Sequence, residues 1–129
     1  MKNIVSTPDA PRSIGPFSQA VKANGFVFVS GQVALDPATQ KVIDGDVSAQ
    51  TDQVMRNIGS LLKAAGLGFE HVVRTTVYLA DMNEFGKMND VYARYVVDPP
   101  PARSTVQVAR LPRDARVEID VIAVYDTVM

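Results

Sequence analysis

The run FVFVSG at 26–31 is apolar on both of its sides, and this restricts the chain more than any other feature. As a strand it puts Phe26 and Phe28 on one face and Val27 and Val29 on the other, so neither face suits water. Its sheet is therefore expected to be covered on both sides. The Asn24-Gly25 pair just before it supplies the positive φ values of a tight hairpin turn, with SQAVKA as the partner strand.

The remaining elements follow from periodicity. After a turn at Asp36-Pro37, residues 46–65 predict a helix, because Val47, Val54, Ile58, Leu61, Leu62 and Ala65 recur at helical spacing and Gly66 stands where a left-handed cap belongs. Val72 to Leu79 is β-branched and rich in threonine, which predicts a strand. A second helix is expected from Asp81 or Asn83, with Phe85, Met88, Tyr92, Tyr95 and Val96 as its apolar stripe and Pro99-Pro100-Pro101 as its end. Two strands follow, Arg103 to Ala109 and Arg116 to Tyr125, joined by a turn at Leu111 to Asp114. Strand, strand, helix, strand, helix, strand, strand predicts an α+β two-layer sandwich, a sheet packed on two helices. No repeat, low-complexity tract or linker divides residues 1–129, a length suited to one domain. One sheet face is expected to meet the helices and the other, still apolar, a second subunit.

The last two strands hold the most informative polar residues. On the first, Arg103, Thr105 and Gln107 alternate with Ser104, Val106 and Val108; on the second, Glu118 and Asp120 share a face with Ile122 and Val124. These two strands are expected to be neighbours, so that a guanidinium and a carboxylate rise from inside an apolar sheet, where each needs a partner or a ligand. Two readings remain open: a structural ion pair, or an Arg103 that grips a substrate carboxylate with its planar fork. Pro101 limits where the Arg103 side chain can go. At Ser30-Gly31 the glycine either relieves crowding at the strand's end or lets a ligand approach the main chain.

Composition removes several classes. With 13 basic and 14 acidic side chains the net charge is −1, which argues against a nucleic-acid backbone or an anionic membrane as partner. There is no cysteine, so disulfides, thiolate nucleophiles and thiolate metal sites are ruled out. His71 is the single histidine and is expected in an exposed loop; alone it builds neither a zinc site nor a triad, and no G-x-S-x-G elbow is present. Glycines 15, 25, 31 and 45 follow no phosphate-cradling pattern, so no nucleotide cofactor is expected, and Glu118 with Asp120 has only the ordinary spacing of a strand, a weak signal for magnesium. The first residues form no apolar run of the signal-peptide kind, and no stretch approaches the roughly 20 apolar residues of a membrane helix. A cytoplasmic location is the expectation.

The runs IGPFSQAV (14–21), VSGQVALDP (29–37), TTVYLADMNEF (75–85), MNDVYARY (88–95) and PPARSTVQVARLPRDARVEIDVIAV (100–124) together resemble the RidA (YjgF) family over nearly the whole chain. PARS-x-V-x-V-A-R-L-P with the following V-E-I-D strand is similar to the branch of that family with deaminase activity. The resemblance implies a chorismate-mutase-like α+β fold assembled as a homotrimer, with active sites in the clefts between subunits. It implies hydrolysis of 2-imino acids, in equilibrium with their 2-aminoacrylate or 2-aminocrotonate enamines, to 2-oxo acids and ammonia, with no cofactor or metal. These are the intermediates that escape pyridoxal-phosphate enzymes acting on serine or threonine.

Carried over by position, the family's carboxylate-binding arginine is Arg103 and its catalytic glutamate Glu118. Its ligand-contacting pair is Ser30 and Gly31, and its cleft asparagine Asn89. Two positions depart from the pattern. Phe17 stands where the family often has tyrosine, which removes a phenolic hydroxyl and bears on substrate preference and rate. Thr105 stands where some relatives have cysteine. Three rival readings share the scaffold: a non-catalytic sensor of 2-oxo acids or other small carboxylates, a protein-interaction module, and a ribonuclease. The near-neutral charge and lack of a histidine pair count against the last.

Overall fold

In the computed structural model, which describes residues 1–125, the hairpin signal at Asn24-Gly25 becomes a two-residue turn with both φ values positive, +52° and +81°. It joins strand β2 (Ala20–Ala23) to β3 (Phe26–Gln32) with Ala23 opposite Phe26. Ahead of them lies a short strand, β1 (Asn3–Val5), paired antiparallel with β2. The helix α1 (Val47–Ala64) follows, then β4 (Val72–Leu79), α2 (Phe85–Tyr92), β5 (Ala102–Gln107) and β6 (Val117–Val124). The strands form one mixed sheet in the order β1-β2-β3-β6-β4-β5, antiparallel except for the parallel pair β4–β5, whose crossover carries α2. This is the α+β architecture expected.

The ends of α1 show why it stops and starts where it does. Asp46 accepts a hydrogen bond from Ala49 N at 3.1 Å, satisfying an otherwise orphaned amide of the first turn. At the other end Gly66, at φ +80°, donates to Lys63 O, and Leu67 donates to Leu62 O, which closes a Schellman motif. Between these caps Val54, Ile58, Leu61 and Leu62 are fully buried against Val27, Val77, Val117 and Ile119 of the sheet. Burying side chains of this size is worth about 1.5–3 kcal/mol each. Asn57 lies at 1 % exposure within this layer; its Nδ2 donates to Leu35 O at 2.9 Å, so the helix also fixes the chain leaving β3.

The second helix is shorter than its periodicity implies. A 3-10 turn (Met82–Glu84), the α-helix Phe85–Tyr92 and another 3-10 turn (Ala93–Tyr95) occupy the expected span, and Val96 is already extended. The chain thus leaves helical geometry ahead of the proline run, in a region where residues preceding proline favour extended backbone. Asp81 caps the first turn by accepting from Asn83 N at 2.9 Å.

The opposite sheet face keeps exposed apolar side chains: Phe26, Phe28 and Val106 are 39 %, 43 % and 42 % exposed. One expectation is corrected. The strands of Arg103 and Glu118 are not neighbours, because β4 lies between β5 and β6. Arg103 pairs with Thr75, on the helix-covered face, while Glu118 pairs with Tyr78, on the open face. The link between β5 and β6 passes around the end of β4, where Val108 donates to Leu79 O and Ala80 donates to Arg116 O. Within one copy, therefore, the guanidinium and the carboxylate lie on opposite sides of the sheet and do not form an ion pair. No helix among the described residues is long and apolar enough to cross a membrane.

Candidate functional site

The parallel pairing of β5 on β4 makes β5 an edge strand and turns Arg103, Thr105 and Gln107 toward α2. Arg103 Nη1 donates to Asn89 Oδ1 at 2.7 Å. Its guanidinium carbon sits 4.8 Å from the ring centre of Tyr92 and 5.5 Å from that of Phe85, within cation–π range of both. The Tyr92 ring is itself fixed, since its hydroxyl is 2.8 Å from Thr75 Oγ1 in the buried layer. Gln107 Oε1 accepts from Met82 N at 2.7 Å and ties the strand to the start of the helical segment. Three neighbours thus orient the Arg103 fork while no carboxylate of the described residues pairs with it. Among the described residues only one of the five N–H donors of the guanidinium has a hydrogen-bond partner, which leaves donors to meet a carboxylate. Thr105 lies half-buried one step further along the same face.

Glu118 belongs to a second half-site across the sheet. It lines a cleft of about 300 Å³ with Gly31, Phe17, Ile14, Arg12 and Arg113. Burial, and then the neighbouring Asp120 carboxylate, push the Glu118 carboxyl above the usual carboxylate range. Asp120 in turn accepts from Tyr78 Oη at 3.0 Å. A carboxyl whose affinity for a proton is raised in this way suits proton transfer.

Of the two readings of Gly31, relief of crowding is the one that the geometry bears out, and the crowded group is Glu118. A Cβ there would lie 2.9 Å from Glu118 Cδ and would overlap its carboxylate oxygen, so the missing side chain makes room for Glu118. Ser30 anchors the strand end: its Oγ donates to Ser18 O at 2.6 Å and its N donates to Gln19 O at 3.0 Å. Phe17 is 52 % exposed at the cleft and brings a ring with no hydroxyl.

Gln19 escaped the sequence reading. At 7 % exposure its amide accepts from Thr7 N and donates to the carbonyls of Thr7, Ala10 and Pro11 at 2.7–3.2 Å. It pins the segment that carries Arg12, Ile14 and Phe17 over the sheet. A polar residue about to enter an apolar strand was the available signal. Arg12 and Arg113, together with the rings of Phe85 and Tyr92 beside Arg103, were likewise found only in three dimensions.

His71 departs from expectation in another way. It ends a 3-10 turn with its side chain 18 % exposed, and Gly68 N donates to its Nδ1 at 3.1 Å, a structural contact in place of an open loop. No group of three or more His, Asp or Glu side chains among the described residues is arranged to hold a metal.

Comparison with known proteins agrees with this architecture. The family model described as Endoribonuclease L-PSP matches residues 7–125. A RutC family protein of Pyrococcus horikoshii is 50 % identical over 95 % of this chain and 98 % of its own. A mouse protein named 2-iminobutanoate/2-iminopropanoate deaminase is 48 % identical, over 96 % of this chain and 92 % of its own. The crystal structure of E. coli TdcF with bound serine superposes with a TM-score of 0.91 at 38 % identity, covering 96 % of this chain and 99 % of that one.

Proposed function

The chain belongs to the RidA/YjgF family, and from that premise we propose that it is a 2-imino acid deaminase, acting on 2-iminobutanoate and 2-iminopropanoate, whose site is completed by a second copy of itself. The observation that carries the reading is Arg103: a guanidinium oriented by Asn89 and two rings, without a carboxylate partner among the described residues. A planar fork of this kind matches the carboxylate that every 2-imino acid retains. The E. coli relative solved with serine, an α-amino acid, is in line with such a ligand.

Arg103 and Glu118 face opposite sides of one sheet, so a single copy cannot bring both to one substrate. The reading therefore joins Arg103 of one copy to the Glu118 cleft of its neighbour around a homotrimer. The exposed Phe26, Phe28 and Val106 supply an apolar face for that contact.

In the reaction, Arg103 holds the substrate carboxylate and so fixes C2 against the cleft. A water oxygen bonds to C2 of the protonated imine while the Glu118 carboxylate takes the water's proton. Glu118 then returns that proton to the nitrogen. As the C–N bond breaks and ammonia departs, the Glu118 carboxylate takes the proton of the new C2 hydroxyl, which becomes the carbonyl of the 2-oxo acid. That proton leaves with ammonia as ammonium. Imines hydrolyse readily in water, so orientation and one shared proton supply the acceleration required, and no cofactor takes part.

The test is a coupled assay. A serine/threonine dehydratase generates the imine from threonine, and 2-oxobutanoate release is followed with wild type and with Arg103→Ala. Acceleration that disappears in the variant supports the reading; wild-type turnover by the variant contradicts it. A second reading, a sensor of 2-oxo acids, draws on the hydroxyl-free ring of Phe17 in the cleft. Binding of 2-oxobutanoate without any faster ammonia release would favour that reading. Ribonuclease activity, the chemistry in the family model's description, finds less support, because the one histidine is engaged with Gly68 and the net charge is −1.

A further inference from the structure

Of the three arginines in the RLPRDAR stretch, two are neutralised. Arg110 makes two bonds to Asp114, at 2.6 and 3.1 Å, and Arg116 pairs with Glu84 at 2.6 Å. Arg113, between them, meets no carboxylate of the described residues; its Nη1 donates to the backbone carbonyl of Gln40 at 3.2 Å, and the side chain lines the Glu118 cleft.

The turn that carries Arg113 adopts left-handed backbone at two consecutive non-glycine residues, Arg113 at φ +57° and Asp114 at φ +54°. Such conformations are uncommon away from glycine and cluster at ligand-binding positions. Across the cleft mouth Arg12 is exposed, also without a carboxylate partner among the described residues, and its backbone N donates to the Gln40 side chain at 3.1 Å. Gln40, itself at φ +61°, thus ties both arginine-bearing segments together.

The cleft is thus lined by the apolar side chains of Ile14 and Phe17, by the Glu118 carboxyl, and by two arginines, Arg12 and Arg113, that no carboxylate of the described residues neutralises. Its volume, about 300 Å³, is sufficient for a small diacid. The monocarboxylic imines considered above offer one anionic group, which Arg103 already accounts for. Two further guanidiniums match a second carboxylate at the far end of the substrate.

We propose that this site takes 2-imino dicarboxylates, with Arg12 and Arg113 binding the distal carboxylate as specificity-determining residues. The inference rests on the deaminase reading and names a substrate class for it. The reaction at C2 is unchanged: water adds, the C–N bond breaks, and ammonia leaves the 2-oxo diacid.

The experiment compares two imines made in the cuvette by amino acid oxidases, 2-iminoglutarate from glutamate and 2-iminobutanoate from 2-aminobutyrate. Each is trapped by semicarbazide, and hydrolysis is read as slowed semicarbazone formation. The quantity compared is the ratio of kcat/KM for the diacid to that for the monoacid, in which any loss of folded protein cancels. Wild type is expected to hydrolyse the diacid at least as well as the monoacid, and Arg12→Ala and Arg113→Ala each to lower the ratio about tenfold. An unchanged ratio in both variants overturns the proposal. So does a wild type that hydrolyses 2-iminobutanoate and ignores 2-iminoglutarate, an outcome that leaves the deaminase reading standing. Hydrolysis of neither imine removes that reading, and the inference with it.

Discussion

Replacing Gly31 with alanine tests the geometry of Glu118 without touching Glu118. The added methyl would lie 2.9 Å from Glu118 Cδ and 3.3 Å from Cγ. Carbon atoms settle about 3.5–4.0 Å apart, so the carboxyl has to retreat by about 0.6–1 Å. Gly31 lies outside the left-handed backbone region, so the substitution adds no backbone strain and acts through this clash alone. A misplacement near 1 Å at a reacting group costs on the order of 100-fold in rate. Crowding of this size destabilises by about 1–3 kcal/mol, which leaves the protein folded. In the threonine-dehydratase coupled assay Gly31→Ala is expected to lose about 10- to 100-fold in kcat, with its circular dichroism spectrum and sedimentation unchanged. A double-mutant cycle sharpens the test: if Gly31 acts through Glu118, the pair Gly31→Ala with Glu118→Gln is no slower than Glu118→Gln alone. Turnover of Gly31→Ala within about threefold of wild type, or losses that simply multiply, would refute the reasoning that makes Gly31 the seat of the Glu118 carboxyl.

Other consequences are as direct. Because burial and then Asp120 hold the Glu118 carboxyl above its ordinary range, the acid limb of the pH–rate profile lies above that range. Asp120→Asn, by removing one of these causes, shifts the limb to lower pH; an unmoved limb would separate it from Glu118. The same raised pKa means the fold favours protonated Glu118. That contribution is present below the unfolded carboxylate pKa and is lost as pH rises through the folded value. Glu118→Gln should therefore melt above wild type at pH 7 and lose that advantage at pH 3, as followed by calorimetry. Gln19→Ala strips four hydrogen bonds from the segment over the cleft and is expected to cost about 1–3 kcal/mol, a fall of several degrees in Tm, with KM rising more than kcat falls.

The parts of this molecule that were legible in the sequence are those with local causes. The limits of α1 follow from Asp46, Gly66 and the apolar stripe between them, all contained in the helix and its flanks. The hairpin follows from two adjacent residues, and the inward side of β6 follows from strict alternation along Val117–Val124. What failed was pairing over distance. A short turn between two predicted strands reads as a hairpin, yet β5 returns parallel to β4 because the α2 crossover delivers it to the outer edge, and the β5–β6 link wraps the end of β4. That single difference moved Arg103 and Glu118 from a shared face to opposite faces. Strand β1, three residues long and mostly exposed, is too short to carry a period. The network of Gln19 joins residues up to twelve positions apart with no repeating pattern, and the Arg12–Gln40–Arg113 connection spans far more. Arg103 and Glu118 stood out from the pattern of the last two strands, Asn89 and the roles of all three came from resemblance, and the surroundings that give each its chemistry came from three dimensions.

The central claim, that one active site draws Arg103 from one copy and Glu118 from another, is tested most directly by mixing two inactive variants. Arg103→Ala and Glu118→Gln would be purified separately, combined at equal amounts, dissociated and reassembled, then assayed for imine hydrolysis. With random reassembly around a ring of identical interfaces, a site is intact when its arginine comes from the Glu118→Gln chain and its glutamate from the Arg103→Ala chain. Such sites make up about a quarter of the total, so activity should return to about a quarter of wild type. A mixture that reassembles and stays as inactive as its components would contradict the shared site.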